Sequence, residues 1–281
     1  MIDTHCHLNF KAFKKSLDIV VNSAIDLGIT HIVVPGTDVE TSREAINISK
    51  KFPNLYPTVG IHPHHAYEFC LIKDEDERKN AIKSSLDEIE EMVKDDCVVA
   101  VGEIGMDLHP YDSTKYGQYE LSDILIDIQK DLFLRQAKYA TVYNKPIIIH
   151  NREAIKYTVP LFTSLFNRDL EGQVVFHCCE ADNSFIELAD KYKFYIGVDG
   201  DVTFIDSKAK FIRDVPLERL VLETDSPYLL PEPLKSKKAY PNKPENIFYI
   251  ASEIARLKNE EIEKVIDITT QNAMNLFFRQ K

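Results

Sequence analysis

Histidine, glutamate and aspartate residues stand at the ends of short apolar runs throughout this sequence of 281 residues. Imidazole nitrogens and carboxylate oxygens are common ligands of divalent transition metals. One such residue at the end of a strand is more often an ordinary loop residue, so the interpretation depends on the whole set. The candidate ligands are His5, His7, Glu103, His150, His177 and Asp225. Together they predict a metal centre that supports hydrolysis.

The pair His5 and His7 is the most specific local signal. Side chains alternate in direction along a strand, so these two imidazoles point the same way and Cys6 points the other way. Two imidazoles on one face suit capture of a single cation. The spacing therefore predicts that the first strand supplies two ligands to one metal.

Eight apolar runs alternate with helical segments, a pattern that predicts parallel strands joined by right-handed crossovers. Eight units favour a single α/β domain, residues 1–281, folded as a (β/α)₈ TIM barrel, and an open doubly wound sheet is the alternative. The predicted strands lie near residues 2–6, 31–34, 55–61, 97–104, 146–150, 174–177, 194–198 and 220–223. The clearest predicted helices lie near residues 74–94, 121–143, 244–257 and 260–277, and Asp38 is a candidate helix cap. Barrel enzymes build their sites at the carboxyl ends of the strands, where the candidate ligands stand.

The overall charge restricts how the protein can bind a polyanion. The formal net charge is −11, with 45 acidic and 34 basic residues, so the chain is not built to coat nucleic acid non-specifically. Any polyanionic substrate must be held by bound cations or by a local cluster of lysines. The cluster Lys235, Lys237 and Lys238 follows Asp225 within one loop and is either a solvated charge run or a phosphate contact.

The cysteines and the N-terminus indicate a compartment. The five cysteines form no CxxC pair and their number is odd, which favours a reducing setting over a disulfide framework. Adjacent Cys178 and Cys179 cannot easily share a metal and are predicted to pack. No run is long enough for a membrane span, and the first residues resemble no signal peptide. We expect a cytoplasmic protein without membrane contact, with a mature N-terminus near Met1; the oligomeric state is left open, with a monomer favoured.

Five further polar residues are weaker candidates. His31 begins a strand, away from the catalytic end, and is predicted to be structural. His64 and His65 are predicted to be solvated. Asp107 and His109 are assigned to a long loop after the fourth strand, where they either contact substrate or form ordinary surface.

Six separate segments, in this order, resemble motifs of the TatD family of metal-dependent deoxyribonucleases. The segments are residues 3–8 (DTHCHL), 59–63 (VGIHP), 102–107 (GEIGMD), 146–152 (PIIIHNR), 176–178 (FHC) and 223–228 (ETDSPY). The resemblance extends from residue 1 to Asn272 and implies a TIM barrel with two divalent cations. It also implies hydrolysis of phosphodiesters, usually exonucleolytic and on DNA.

The resemblance also implies a role for each matching residue. His5, His7 and Asp225 would hold one cation, His150 and His177 the other, and Glu103 would bridge the two. His62 and Arg152 would lie close to the substrate phosphate. Two such cations lower the pKa of water, so that a hydroxide nucleophile is available at neutral pH.

Two acidic residues carry the rest of the expected chemistry. Asp225 would also orient the attacking water or accept its proton, and Glu223, two residues earlier, would support the ligands from behind. The metals would be zinc, manganese or magnesium. Four histidines favour the first two, although nucleases of this family are commonly run with magnesium.

Departures from the family pattern leave the substrate open. The segment Asp199-Gly200-Asp201 replaces a Ser-Gly-hydrophobic stretch and adds two negative charges near the predicted mouth. This favours an alternative in which the same metal site hydrolyses another ester or amide, such as an aminoacyl-tRNA or a small phosphoester. A non-enzymatic metal-binding scaffold is a third reading, which the complete ligand set argues against.

Overall fold

The computed structural model describes residues 1–111, 121–166 and 168–278. Eight parallel strands follow one another around a single sheet in the order of the sequence. The strands are β1 (Ile2–Asp3), β2 (His31–Pro35), β3 (Leu55–Val59), β4 (Ala100–Asp107), β5 (Ile147–Arg152), β6 (Val174–His177), β7 (Tyr195–Val198) and β8 (Leu220–Leu222). The predicted barrel class is confirmed.

Backbone contacts of the segment just after β1 with β8 and the residues beyond it close the barrel. The amide of Thr4 donates to Leu222 O at 3.0 Å, and Cys6 forms a parallel bridge with Ser226. The strand β1 is shorter than predicted because the segment after Asp3 pairs with the residues beyond β8 rather than continuing a regular ladder. Closure brings the first and last strand ends, which carry candidate ligands, side by side.

Helices follow the strands on the outside of the barrel. They are α1 (Leu17–Asp26), α2 (Val39–Ser49), α3 (Ala66–Cys70), α4 (Glu75–Val93), α5 (Asp123–Val142), α6 (Ile155–Leu165), α7 (Asn183–Tyr192), α8 (Asp206–Asp214), α9 (Ile247–Lys258) and α10 (Ile262–Phe277). Asp38 caps α2 as predicted, since its carboxylate accepts from the Thr41 amide at 2.7 Å.

The two ends of the barrel differ in polarity. Apolar side chains from first and middle positions of the strands pack together inside the barrel, and α10 covers them. The group comprises Ile2, Val33, Ala100, Ile148, Val175, Tyr195 and Val221 from the strands with Ala273, Leu276 and Phe277 from α10. Burial of each large side chain contributes about 1.5–3 kcal/mol. This end therefore stabilises the barrel, and the carboxyl end is left for polar side chains.

In the described part of the chain, no helix has both the length and the apolar character needed to cross a membrane. That residues 1–281 form one domain stays a prediction.

Candidate metal centre

The first corner of the site contains the three side chains predicted to share one cation. The Nε2 atoms of His5 and His7 are 3.2 Å apart. Asp225 Oδ1 lies 3.3 Å from His7 Nε2 and 3.8 Å from His5 Nε2. Three ligand atoms from opposite ends of the chain therefore converge, as the order of the strands predicts.

Backbone contacts between the segment after β1 and the segment after β8 hold this corner. The amide of Asp225 donates to His5 O at 2.9 Å, and that of His7 to Ser226 O at 2.8 Å. The buried Asp3 carboxylate accepts from the Thr224 amide and hydroxyl at 3.0 and 2.7 Å. Asp225 itself adopts a left-handed φ of 48°, which short polar side chains tolerate better than others. The carboxylate is thus aimed by fixed backbone rather than by a free loop.

Glu103 lies between the two sets of predicted ligands, and each of its oxygens faces a different set. Oε2 lies 3.4 Å from His5 Nε2 and 3.8 Å from His7 Nε2. Oε1 lies 2.8 Å from His150 Nδ1 and 3.5 Å from His177 Nε2. The carboxylate is 2% exposed, so its charge must be compensated inside the site.

His62 comes closer to the centre than the sequence suggested. Its Nε2 lies 3.4 Å from Glu103 Oε1, and its Nδ1 accepts from the His64 amide at 3.0 Å. Its predicted role beside the substrate phosphate stays a prediction. The structure places its imidazole against Glu103 itself, edge-on to the ring of His150.

The donor set fits a divalent cation. Bonds of about 2.0–2.1 Å around a tetrahedral cation place neighbouring ligand atoms roughly 3.3–3.4 Å apart. The facing atoms of His5, His7, Glu103 and Asp225 are 3.2 to 3.8 Å apart. Two imidazole nitrogens at 3.2 Å are brought together with two carboxylate oxygens, an arrangement that a shared cation satisfies better than hydrogen bonds alone.

The ionisation of the site is strongly coupled. Burial raises the pKa of Glu103, but the surrounding imidazoles, His62 first, hold it well below its usual range. Burial lowers the pKa of His177, but Glu223 and Glu103 outweigh this and raise it to about 10. The pKa of His150 is likewise raised to about 9, by hydrogen bonds to Asp107 and Glu103 that outweigh burial. A cation that binds here must displace protons from these imidazoles.

Glu223 supports His177 from behind, as its spacing from Asp225 predicts. Its Oε1 lies 3.1 Å from His177 Nδ1 and accepts from the Cys178 amide. A Cβ atom on Gly197 would lie 2.5 Å from Glu223 Oε2, so a larger residue there would force the carboxylate to move. The contact orients His177 so that Nε2 faces Glu103.

The placement of Asp107 in a loop is wrong. Strand β4 continues through Gly105 to Asp107, whose buried Oδ2 lies 2.9 Å from His150 Nε2. The same oxygen lies 2.8 Å from His64 Nε2 and accepts from the Tyr111 hydroxyl at 2.8 Å. Asp107 therefore supports His150 as Glu223 supports His177. The signal in the sequence is the alternation Glu103, Gly105, Asp107 on one face.

Gly105 allows the strand to continue past His150. Its φ is +149°, and a Cβ atom there would lie 1.9 Å from His150 O. The register between β4 and β5 shifts between Val101 and Ile104, which marks a bulge at the position of Glu103. The backbones of β4 and β5 approach each other closely at Gly105. Together with the bulge, this directs the side chains of Glu103 and Asp107 toward His150.

The prediction that His64 and His65 are solvated is also wrong. A short 3₁₀ turn, Pro63–His65, directs both side chains inward, where they are 18% and 11% exposed. His64 contacts Asp107 as described above, and His65 Nε2 lies 3.7 Å from Asp38 Oδ2. The prediction failed because the backbone of the turn, and not the polarity of the two residues, decides where their side chains point.

We expect Asp107→Asn to weaken metal binding about 10- to 100-fold, because His150 loses the charged partner that orients it. Calorimetric titration of the metal-free protein with zinc measures this affinity. Asp190→Asn, at an exposed position of helix α7, is the matched control and should leave the affinity unchanged. Equal affinities for Asp107→Asn and the wild type would contradict a supporting role.

Asp199 is not the free negative charge at the mouth that the sequence suggested. It is fully buried, and Lys208 Nζ of α8 lies 3.0 Å from its Oδ2. Burial raises the pKa of Asp199, but Lys208 outweighs this and lowers it below its usual range. The neighbouring Asp201 has a pKa raised to about 6 by burial and by Asp199. Of these two carboxylates, only Asp201 adds to the negative charge near the site.

We expect Lys208→Met to lower the free energy of unfolding by about 3–5 kcal/mol, because it leaves the buried Asp199 charge uncompensated. Urea unfolding followed by circular dichroism measures the change. Lys210→Met, exposed on the same helix, should cost far less, and the double variant Asp199→Asn, Lys208→Met should recover most of the loss. A small effect of Lys208→Met would show that the pair does not hold α8.

Three other candidate residues lie apart from Glu103. Arg152 ends β5, is exposed, and donates from Nη1 to the Tyr111 hydroxyl at 3.0 Å. His109 pairs with the exposed Glu153, the two facing atoms being 2.6 Å apart. His31 stacks on Tyr56 at 4.9 Å between ring centroids, consistent with its predicted structural role. Residues 112–120, which complete the predicted long loop, lie outside the described residues.

The barrel and its buried donor set define a metal-dependent hydrolase of the TIM-barrel class. The chain belongs to the TatD related DNase family, whose model matches residues 2–278. It is 33% identical to the metal-dependent hydrolase YabD of Bacillus subtilis over 99% of this chain and 98% of that one. It is 27% identical to the 3'-5' ssDNA/RNA exonuclease TatD of Escherichia coli, over 99% and 98%. The crystal structure of the E. coli TatD homologue YjjV superimposes with a TM-score of 0.82 at 26% identity, covering 100% and 98%.

Proposed function

We propose that this hydrolase is a two-metal deoxyribonuclease that removes nucleotides from DNA in the 3'-5' direction. Relatives that match along nearly the whole chain support the substrate: one is the E. coli exonuclease and another is human deoxyribonuclease TATDN3, 28% identical. The polarity of digestion is carried over from the name of the E. coli protein.

The two-metal proposal rests on the observation that the two Glu103 oxygens face different sets of histidines. Oε2 faces His5 and His7, and Oε1 faces His150 and His177. We assign His5, His7 and Asp225 to one cation, His150 and His177 to the other, and Glu103 to both. The arrangement suits a carboxylate that would bridge two cations, because each oxygen faces a different set of histidines.

The protein's own residues would bind, orient and accept a proton. Bound cations would lower the pKa of water and stabilise the attacking and leaving oxygens. The Asp225 carboxylate, at the more accessible edge of the site, accepts the proton of the attacking water. The imidazole of His62, whose pKa burial holds well below its usual range, stays neutral and donates to a phosphoryl oxygen. Arg152, with its planar fork of donors, contacts the phosphate from the rim.

The nature of the cations follows from the donor types. Four imidazoles in the proposed set favour zinc or manganese, and the carboxylates admit magnesium. We propose that any of the three can occupy the site and that two cations bind per chain.

Hydrolysis of another ester or amide is the alternative, and the structure weakens its main support. That support was the pair of negative charges at Asp199 and Asp201, of which Asp199 is neutralised by Lys208. Asp201 remains as a half-buried carboxylate that would disfavour a polyanion, so the alternative is retained as an arm of the test.

The substrate class is tested with a panel assayed separately with zinc, manganese and magnesium. It contains single-stranded DNA labelled at either end, RNA, an aminoacyl-tRNA and a chromogenic phosphodiester. We expect mononucleotides released from the 3' end of DNA, and a block by a 3'-terminal phosphorothioate linkage. Faster deacylation of the aminoacyl-tRNA than cleavage of DNA would overturn the nuclease and favour the alternative.

Three exposed lysines in the loop after β8 test whether the rim contacts phosphates. Lys235, Lys237 and Lys238 are exposed, and Lys235 Nζ lies 3.1 Å from the centroid of the Phe204 ring. We expect their replacement by glutamine to weaken binding of single-stranded DNA. The slope of log affinity against log salt should flatten by about 2, since each phosphate contact contributes about 0.7.

Fluorescence anisotropy at several salt concentrations measures the slope. Replacing Lys79, Lys83 and Lys138, which are exposed on α4 and α5, is the control and should leave the slope unchanged. An unchanged slope in the loop variant would favour a small substrate.

We further propose that the protein acts as a monomer in the cytoplasm. All five cysteines are free, which suits a reducing compartment.

A further inference from the structure

Arg152 lies on the same face of β5 as the proposed ligand His150, two residues further toward the rim. Side chains two apart on a strand point the same way. Arg152 is paired in register with Asp107 of β4, and the Leu108 amide donates to Arg152 O at 2.9 Å. The backbone therefore carries the arginine to the rim beyond His150, but it does not fix where the long side chain points.

The hydroxyl of Tyr111 connects this arginine to Asp107. It donates to Asp107 Oδ2 at 2.8 Å and accepts from Arg152 Nη1 at 3.0 Å. Asp107 is fully buried, and the same oxygen lies 2.9 Å from His150 Nε2. A hydroxyl that donates to a carboxylate is polarised and becomes a stronger acceptor. A directed chain of hydrogen bonds therefore runs from the arginine at the rim to the residue that supports His150.

The ring of Tyr111 is itself held by its neighbours. It meets the His64 ring edge-on, with centroids 4.3 Å apart and planes at 85°, and the His109 ring at 4.9 Å and 86°. Cζ of Arg152 lies 5.1 Å from its centroid, within the range of a cation–π contact. Ring and hydroxyl thus contact the guanidinium at two places, and both are fixed by other residues.

Most donors of the Arg152 guanidinium are left for a ligand. Within the described residues the guanidinium makes one hydrogen bond, from Nη1, and the side chain is exposed. A guanidinium has five N–H donors in a planar fork that matches the oxygens of a phosphate. An arginine with no fixed partner loses rotamer freedom when it binds an anion, whereas an arginine that is already held loses less.

We propose that Tyr111 is a positioning residue that holds Arg152 in the conformation that receives a phosphodiester at the rim beyond His150. The inference rests on the proposed function, in which Arg152 contacts the substrate phosphate. It deepens that function, because it identifies what fixes the contact. Tyr111 acts through Arg152 and touches neither the phosphate nor a cation.

The test is calorimetric titration of the manganese-loaded protein with diethyl phosphate. This diester carries one negative charge and no base, so its affinity reports on contacts with the phosphate alone. Tyr111→Phe keeps the ring and removes the hydroxyl. We expect it to raise the Kd about 10-fold, the lower end of what a hydrogen bond to a charged group contributes. An unchanged Kd would overturn the proposal.

Tyr143→Phe is the matched control. It also removes a tyrosine hydroxyl that donates to a carboxylate, here Glu90 Oε1 at 2.9 Å. Tyr143 lies before β5 begins, whereas Arg152 ends that strand. The control should leave the Kd for diethyl phosphate unchanged, and a loss equal to that of Tyr111→Phe would overturn the assignment to Arg152.

The zinc affinity of the metal-free protein separates positioning of Arg152 from support of a cation. We expect Tyr111→Phe to stay within about threefold of the wild type. Asp107 keeps its contacts with the imidazoles of His150 and His64 in this variant. A loss of zinc affinity as large as that expected for Asp107→Asn would show that Tyr111 supports the cation, and would overturn the proposal.

A double-mutant cycle tests whether Tyr111 acts through the arginine. Arg152→Met should weaken binding of diethyl phosphate by itself. Adding Tyr111→Phe to Arg152→Met should then have no further effect, because no guanidinium remains to be held. Losses that simply add would show that the hydroxyl acts independently of Arg152, which would overturn the proposal.

Kinetics on a chromogenic phosphodiester give a second readout. A contact made equally in the ground state and the transition state affects binding alone. We therefore expect Tyr111→Phe to raise KM by the factor found for diethyl phosphate and to keep kcat within about threefold of the wild type. A lowered kcat with an unchanged KM would contradict a role in positioning.

The calorimetric assay is independent of turnover, so the two proposals can fail separately. If no metal supports DNA hydrolysis but Tyr111→Phe still weakens binding of diethyl phosphate, the nuclease activity fails and the positioning role stands. If DNA is hydrolysed and Tyr111→Phe binds diethyl phosphate as the wild type does, only the positioning role fails. A wild type that binds no diethyl phosphate would also overturn it, because Arg152 then receives no phosphate.

Discussion

Replacing Glu103 by glutamine is expected to lower kcat at least 1,000-fold, about 4 kcal/mol of transition-state stabilisation. The carboxylate is buried and faces imidazoles with both oxygens. A neutral amide can offer only one acceptor oxygen, so it cannot serve two cations. Its NH₂ group would face histidine nitrogens and repel a cation at one of the two positions.

The same variant is expected to lose at least one bound metal. Elemental analysis after gentle purification should approach two cations per chain for the wild type and at most one for Glu103→Gln. Glu187→Gln, exposed on α7, is the control and should match the wild type in both measurements. Two retained cations together with near-normal turnover in Glu103→Gln would remove Glu103 from the centre. A wild type that stays metal-free in saturating zinc, manganese and magnesium would remove the centre altogether.

Asp225→Asn is expected to lower turnover between about 100- and 10,000-fold, the contribution typical of a positioned general base. The substitution keeps the size of the side chain but removes its charge and basicity. Asparagine also tolerates the left-handed φ of 48° that this position requires, so the backbone should stay as it is. The loss should therefore appear in catalysis and not in folding.

Thermal unfolding by circular dichroism, measured beside the kinetics, separates the two effects. We expect the midpoint of Asp225→Asn to stay within a few degrees of the wild type, a change in stability of about 1 kcal/mol or less. Asp201→Asn, which removes another negative charge near the site, is the control and should keep its activity within tenfold. Turnover near the wild-type level in Asp225→Asn would exclude Asp225 from the chemistry.

The positions of the candidate ligands could be predicted because each stands at the end of an apolar run. Alternation along a strand places His5 and His7 on one face, and parallel strands bring their carboxyl ends to one rim. The register then pairs His150 with His177 on neighbouring strands. None of these steps requires a distance between atoms, so the spacing of residue types along the chain was sufficient for them.

The supporting residues were harder to predict because their partners are distant in the sequence. The extent of β4 decides whether Asp107 reaches His150, and a glycine that resembles a strand end in fact lets the strand continue. The direction of His64 depends on one 3₁₀ turn. The pairing of Asp199 with Lys208 depends on how α8 packs against the barrel.

The sequence by itself determined the fold class, the order of the strands and the chemical types of the candidate ligands, because periodicity and residue type are local properties. Only the tertiary structure decided which Glu103 oxygen faces which histidines and which charges are neutralised. It also decided that the Tyr111 hydroxyl joins Asp107 to Arg152, although these two residues lie on different strands. These are contacts across a closed barrel, and their geometry depends on bulges and on closure, which local residue patterning does not encode.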